Sequence, residues 1–85
     1  MGSTSIHTFR YQRLAKQLRA WREEAGLTQR GLGAKLKKPS SYVHKCEVAE
    51  RKIDPLEFLD WIAACDVKYA NAIETIDQFR GRQTV

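Results

Sequence analysis

The sequence has 85 residues, a length that fits one compact domain with a modest core and favours a binding module over an enzyme. Hydrophobic residues make up 42% of it, which excludes disorder along most of the chain. The formal net charge is +5, with 12 basic and four acidic residues in 1–52 and three basic and six acidic residues in 53–85. A basic first part and an acidic end are typical of a nucleic-acid face beside a separate partner face, although a solvated surface of uneven charge also fits.

The two cysteines, Cys46 and Cys65, form no CxxC motif and have no histidine at metal-ligand spacing. We therefore expect no metal, no cofactor and no disulfide, but two free thiols packed as small apolar side chains in a reducing cytoplasm. A redox role for Cys46 stays open as an alternative. No apolar run is long enough to span a membrane, and residues 1–5 lack the pattern of a signal peptide.

Five helices are predicted in a domain over residues 9–80, with residues 1–8 and 81–85 as flexible tails. The first helix covers about residues 9–25 and stops at Gly26, which suits the left-handed end of a helix. Its inward stripe has helical spacing and consists of Leu14, Leu18, Trp21 and Ala25. The basic residues off that stripe are Arg13, Lys16, Arg19 and Arg22.

Thr28 is expected to cap the second helix, over about residues 29–36, whose inward residues are Leu32 and Leu36. Its small residues, which would let another helix approach, are Gly31, Gly33 and Ala34. Pro39 fits the first position of a short third helix that continues to about residue 47. A backbone N–H at that position has no partner within the helix, so proline, which lacks this N–H, loses no hydrogen bond there. Its inward residues are Val43 and Cys46.

After a polar loop over residues 48–53, the run Asp54-Pro55-Leu56-Glu57 predicts the start of a fourth helix that continues to about residue 65. Its expected inner face is Leu56, Leu59, Ile62 and Ala63, with Phe58 and Trp61 beside it. Trp61 would lie either in the core or in a dimer interface. The fifth helix covers about residues 68–79 and stops at Gly81; its apolar residues are Ala72, Ile73, Ile76 and Phe79.

Two short helices joined by a tight turn between Thr28 and Glu47 have the arrangement of a helix-turn-helix, whose second helix enters the major groove. Over about residues 10–71 the chain resembles the phage-repressor family (Cro/cI-type, XRE-like), most specifically in "GLTQ" and in "SYVHKCE". The resemblance implies an all-α five-helix bundle, a lambda-repressor-like domain with its helix-turn-helix at residues 28–47. It also implies double-stranded DNA as the partner, in a bacterial or phage-encoded protein associated with the nucleoid.

The same resemblance assigns roles to individual residues. Ser40, Ser41 and Lys45 match base-reading positions, and His44 matches an outward position that adds a base or backbone contact. Gln29 would donate to a phosphate and also steady the third helix, while Glu47 matches a structural acid. The residues expected against the phosphate backbone are Tyr42, Arg51, Lys52 and Arg10. The alternative for Lys45 is a merely solvated face of the third helix.

The chain departs from the family pattern on both sides of the third helix. Lys37-Lys38-Pro39 stands where Gly-Val-Ser is common, and Val48-Ala49 stands where a glycine usually follows the acid. Cys46 replaces the usual Ile or Leu. The two missing glycines matter because glycine suits turns that need a left-handed backbone conformation.

The sequence contains no phosphate-binding glycine loop, no Ser/His/Asp set and no paired carboxylates, so we expect no enzymatic activity. The expected function is transcriptional regulation, as a repressor on a near-palindromic operator. One short recognition helix contacts few base pairs, which favours a homodimer. Its expected interface residues are Tyr69, Ile73, Ile76 and Phe79. The alternative is an antitoxin or protein-interaction module that binds a partner protein and regulates its own synthesis.

Overall fold

The computed structural model describes residues 8–80, which form five α-helices and no β-strand. The helices are α1 (Phe9–Glu24), α2 (Gln29–Leu36), α3 (Ser40–Glu47), α4 (Pro55–Ala64) and α5 (Tyr69–Phe79). The all-α class and the order of five helices are therefore confirmed, with each predicted boundary within one residue of the observed one. Residues 1–7, the predicted stop at Gly81 and the remaining C-terminal residues lie outside the described part.

Side-chain caps explain where three of these helices begin. Thr8, which the prediction assigned to the tail, accepts a hydrogen bond from the backbone N–H of Tyr11, and Thr28 accepts one from Gly31. Asp54 and the side chain of Glu57 cap each other's backbone N–H groups, as the sequence predicted.

The start of α3 differs from the prediction. Pro39 is the N-cap, with φ −69° and ψ 157°, and the helix begins one residue later. The reason lies in the preceding turn, where Lys37 adopts a left-handed conformation with φ 58° and brings the chain into Pro39 from an extended direction. Ala49 adopts a similar conformation, with φ 62°, after α3. Lysine and alanine thus occupy the two left-handed turns at the cost of about 1–2 kcal/mol each.

The core gathers side chains from all five helices. Its fully buried large residues are Leu18, Leu32, Val43, Cys46, Trp61 and Ile62. Ala72 brings α5 to the same cluster. Trp61 lies in the core within this chain, and its indole N–H donates to the Leu18 carbonyl at 3.1 Å. This hydrogen bond satisfies the polar atom of a side chain that is otherwise apolar.

The predicted inner face of α4 is wrong for three of its four residues. Leu56 and Leu59 are 72% and 39% exposed, Ala63 is exposed, and Ile62 alone of the four is buried. The face in contact with the core consists of Phe58, Trp61, Ile62 and Cys65. Because α4 is apolar on most sides, its spacing fits two faces, and the one with two aromatic rings buries more area.

The stripe predicted on α1 also needs correction at its C-terminal end. Ala25 is exposed, whereas Arg22, expected off the stripe, has a side chain that is only 9% exposed. Its guanidinium donates to the two carboxylate oxygens of Glu47 at 2.6 and 3.1 Å and to the Leu27 carbonyl at 2.8 Å. These hydrogen bonds to Glu47 raise the pKa of Arg22 above its usual value. A buried ion pair therefore joins α1 to the end of α3.

The contact between α2 and the turn before α3 requires a glycine. A Cβ atom added at Gly33 would lie 2.6 Å from the Lys38 carbonyl oxygen, which is backbone and cannot move independently. The Lys38 N–H also donates to the Gly33 carbonyl at 2.9 Å. The expected packing role of a small residue in α2 is thus located at Gly33.

We predict that Gly33→Ala lowers the free energy of unfolding by about 1–3 kcal/mol, because the new methyl group overpacks the turn. Urea unfolding followed by circular dichroism measures the change. Gly31→Ala is the matched control, since its Cβ would meet the Thr28 hydroxyl at 3.2 Å rather than backbone, and it should have a smaller effect. Equal losses in the two variants would contradict the packing argument.

We predict that Glu47→Ala lowers the free energy of unfolding by about 3–5 kcal/mol, because it leaves the Arg22 charge buried without its partner. Arg19→Ala is the control: it removes the exposed Arg19–Glu23 pair at 2.9 Å and should cost less than about 1 kcal/mol. The double variant Arg22→Met/Glu47→Leu, which removes both charges, should be more stable than Glu47→Ala. Similar losses for Glu47→Ala and Arg19→Ala would refute this role.

Candidate nucleic-acid interface

The third helix has a buried side and an exposed side of different chemistry. The buried residues are Tyr42, Val43, Cys46 and Glu47. The exposed residues of α3 are Ser40, Ser41, His44 and Lys45. At 3.6 residues per turn these two sets lie on opposite sides of the helix. The structure thus places the four residues predicted to contact bases together on what we call the outer face of α3.

Tyr42 lies on the buried side of α3 rather than on its outer face. It is 8% exposed, its ring centroid is 6.5 Å from that of Trp61, and burial raises the pKa of its hydroxyl. The position of Tyr42 in α3 thus directs its ring into the core, and its expected contact with the DNA backbone stays a prediction. The Lys38 ammonium and the Arg51 guanidinium lie 5.1 and 5.0 Å from its ring centroid. Cation–π attraction thus fixes two basic side chains near the two ends of α3.

Gln29 contributes to the position of α3 from the first turn of α2. Its side-chain amide donates to a Glu47 carboxylate oxygen at 3.0 Å, beside the Arg22 guanidinium. The steadying role expected of Gln29 has a structural basis in this hydrogen bond. The side chain is half-buried, and its donation to a phosphate stays a prediction.

The loop after α3 is held by several contacts of Arg51. Its guanidinium donates to Glu57 at 2.8 Å, and its backbone N–H donates to the Lys45 carbonyl at 3.2 Å. Attraction by the Glu57 carboxylate raises the pKa of Arg51 above its usual value. Farther along the loop, the Tyr11 hydroxyl accepts from the backbone N–H of Ile53 at 2.8 Å. The loop therefore has a defined shape.

Arg10 and Lys52 are exposed and line the same shallow groove of about 330 Å³, although they lie far apart in sequence. Arg10 donates to the Arg80 carbonyl at 2.8 Å, so its guanidinium is oriented by the end of α5. The apolar floor of the groove includes Leu14 and Ile76. Two of the cations expected to bind phosphate thus meet at one site.

The sequence reasoning did not include Lys37 and Lys38 among the candidate contacts. Both are exposed in the turn that leads into α3, so they add positive charge at its N-terminal end. Two adjacent lysines before the proline could have indicated this, but they were interpreted only as a departure from the family pattern. The observed positions favour an anionic partner along this side of the molecule.

The residues predicted for a dimer interface divide into two pairs. Tyr69 and Ile73 are 60% and 57% exposed on α5. Ile76 packs against the core, and Phe79 lies under the Arg13 guanidinium, 5.0 Å from its ring centroid. The exposed part of the predicted interface is therefore centred on Tyr69 and Ile73.

Over residues 8–80, no three His, Cys, Asp or Glu side chains are grouped closely enough to hold a metal ion. No helix in that part of the chain has the length and apolar character needed to cross a membrane. Cys46 and Cys65 are buried free thiols, and burial raises the pKa of Cys65 to about 11. A thiol in this state is protonated near neutral pH and reacts slowly.

Comparisons with known proteins agree with this geometry. Residues 13–70, which include all of α2, α3 and α4, match a family model described as a helix-turn-helix domain. An XRE-family like protein from Pseudomonas syringae pv. tomato str. DC3000 has a similar solved structure, with 36% sequence identity and a TM-score of 0.77. The similarity covers 87% of this chain and 90% of that chain. A search of curated proteins found no match. The chain therefore belongs to the XRE family of helix-turn-helix proteins, as its sequence motifs indicated.

Proposed function

We propose that this protein is a sequence-specific transcriptional repressor that binds double-stranded DNA with α3 in the major groove. The outer face of α3 carries the proposal, because it presents hydroxyl, imidazole and ammonium groups to solvent on one side of a short helix. The major groove is about 12 Å wide and admits one α-helix, and its base edges offer both donors and acceptors. Ser40, Ser41, His44 and Lys45 supply matching donors and acceptors.

Cations at both ends of α3 support contacts with phosphates on either side of the groove. Lys37 and Lys38 precede the helix, and Lys52 and Arg10 lie beyond it. Each phosphate contact releases counterions, so binding should weaken steeply as the salt concentration rises.

The proposal includes a homodimer that joins through Tyr69 and Ile73. Two-fold symmetry would place two recognition helices about 34–36 Å apart, one turn of DNA, and would match a near-palindromic operator. The exposed apolar side chains on α5 support this choice, because burying them removes apolar surface from water.

We predict that unbiased selection from a random DNA library, followed by sequencing, yields one motif with two related half-sites. Lys45→Ala should weaken binding to that motif by about 1–3 kcal/mol and relax the preference at one position. Lys52→Ala is the matched control, since it should weaken all sequences alike and reduce the salt slope by about 0.9. Fluorescence anisotropy on the motif and on scrambled DNA separates the two effects. Equal proportional losses on both DNAs for Lys45→Ala would contradict its role in base recognition.

We predict that Ile73→Asp shifts the protein towards monomer in sedimentation velocity and weakens binding to the full motif more than to a half-site. A charge buried in the interface is costly, whereas the same change at Leu56, which is 72% exposed on α4, should leave the dimer intact. Dimers that persist in Ile73→Asp would contradict the proposed interface. A wild-type monomer at all concentrations, with and without DNA, would contradict dimerisation itself.

A further inference from the structure

Val48 extends the outer face of α3 by one residue. Its backbone N–H donates to the His44 carbonyl at 3.0 Å, so the helical turn includes it although α3 ends at Glu47. It follows Ser41 by seven positions, and at 3.6 residues per turn the two side chains lie within about 20° of each other around the axis. Val48 is therefore aligned with Ser41, opposite the buried side of α3.

Val48 is apolar yet 46% exposed. The other large apolar residues with high exposure lie on α1, α4 and α5; they are Phe9, Leu56, Leu59, Tyr69 and Ile73. Among residues 8–80, the outer face of α3 thus contains one large apolar side chain, beside groups that form hydrogen bonds.

The loop after α3 holds Val48 in place. The backbone N–H groups of Glu50 and Arg51 both donate to the Lys45 carbonyl, at 2.9 and 3.2 Å, so the chain turns back immediately after Val48. The left-handed conformation of Ala49 makes this turn. Because valine is branched at Cβ, its two methyl groups also have few rotamers. The backbone beside Val48 is thus fixed and its side chain has few rotamers to lose, which lowers the entropic cost of a contact.

The chemistry of the major groove identifies what such a side chain fits. Hydrogen-bond donors and acceptors line the groove, and among the four bases thymine alone presents a methyl group there. We infer that Val48 determines specificity by contacting the 5-methyl group of a thymine, an inference that rests on the proposed DNA binding by α3. Val48 lies about 10 Å along the helix from Ser41, so the two side chains would contact different base pairs.

Deoxyuridine tests the contact, because it differs from thymidine in DNA only by the missing methyl group. Each thymine of the selected motif is replaced singly by deoxyuridine, and the Kd is measured by anisotropy for wild type and Val48→Ala. At one thymine per half-site we expect deoxyuridine to weaken wild-type binding about three- to fivefold, as for loss of one buried methyl group. In Val48→Ala the same replacement should change Kd by less than about 1.5-fold.

Leu56→Ala is the matched control, since it also shortens an exposed apolar side chain but lies on α4, and it should keep the wild-type ratio between thymine and deoxyuridine. Circular dichroism confirms that all variants fold. Two results overturn the inference and leave the proposed function intact. One is a selected motif that lacks thymine. The other is tight binding to a motif in which every thymine-to-deoxyuridine replacement has the same effect on wild type and on Val48→Ala. Failure to select any motif contradicts the proposed function and the inference with it.

Discussion

The orientation of α3 depends on the buried charge of Glu47. A carboxylate at the C-terminal end of a helix is unfavourable, because the helix dipole places partial negative charge there, and burial adds a desolvation cost. The Arg22 guanidinium offsets both costs with two hydrogen bonds, and the Gln29 amide adds a third. The three residues come from the end of α1, the start of α2 and the end of α3. This arrangement is satisfied in one relative position of the three helices, so it fixes which side of α3 faces outward.

Backbone constraints act on the same unit from its other end. The close approach at Gly33 sets the distance between α2 and the turn, and the left-handed residues Lys37 and Ala49 set the direction of the chain before and after α3. Glycine would be less strained at both left-handed positions. Their strain is maintained because the surrounding contacts fix the turns: Lys38 is tied to Gly33, and the loop after α3 is tied to the Lys45 carbonyl. A short helix thus has both of its ends fixed before it meets a partner.

The sequence predicted the helices well because their signals are local. Thr28, Asp54 and Gly26 act within one turn of the chain, and the structure shows each in its expected role. The errors concern information that is not local. Spacing alone could not select between the two apolar faces of α4, since the choice depends on which side chains the other helices offer. Arg22 is polar, so it was placed off the core stripe, and only the folded chain brings Glu47 to it.

The candidate interface was predictable to a similar extent. The exposed positions of Ser40, Ser41, His44 and Lys45 follow from helical periodicity once the buried side is known, and the motif provided that side. The burial of Tyr42 was not predictable, because an aromatic residue with a hydroxyl group fits both a core and a surface, and its place beside Trp61 depends on α4. Val48 was assigned to a polar loop, since the sequence does not show that the helical turn includes it.

The basic residues near α3 differ in whether their side chains are already paired with a carboxylate, and this difference should affect how much each contributes to DNA binding. The Arg22 and Arg51 side chains are already paired with Glu47 and Glu57, so their charges mainly maintain the shape of α3 and the loop after it. Lys45 and Lys52 are exposed and, among residues 8–80, are not joined to a carboxylate. Exposed ammonium groups lose little by transferring to a phosphate, whereas a paired guanidinium must first give up its carboxylate. We therefore expect exposed cations such as Lys45 and Lys52 to supply the attraction to DNA, while Arg22 and Arg51 maintain the position of α3 and the loop after it.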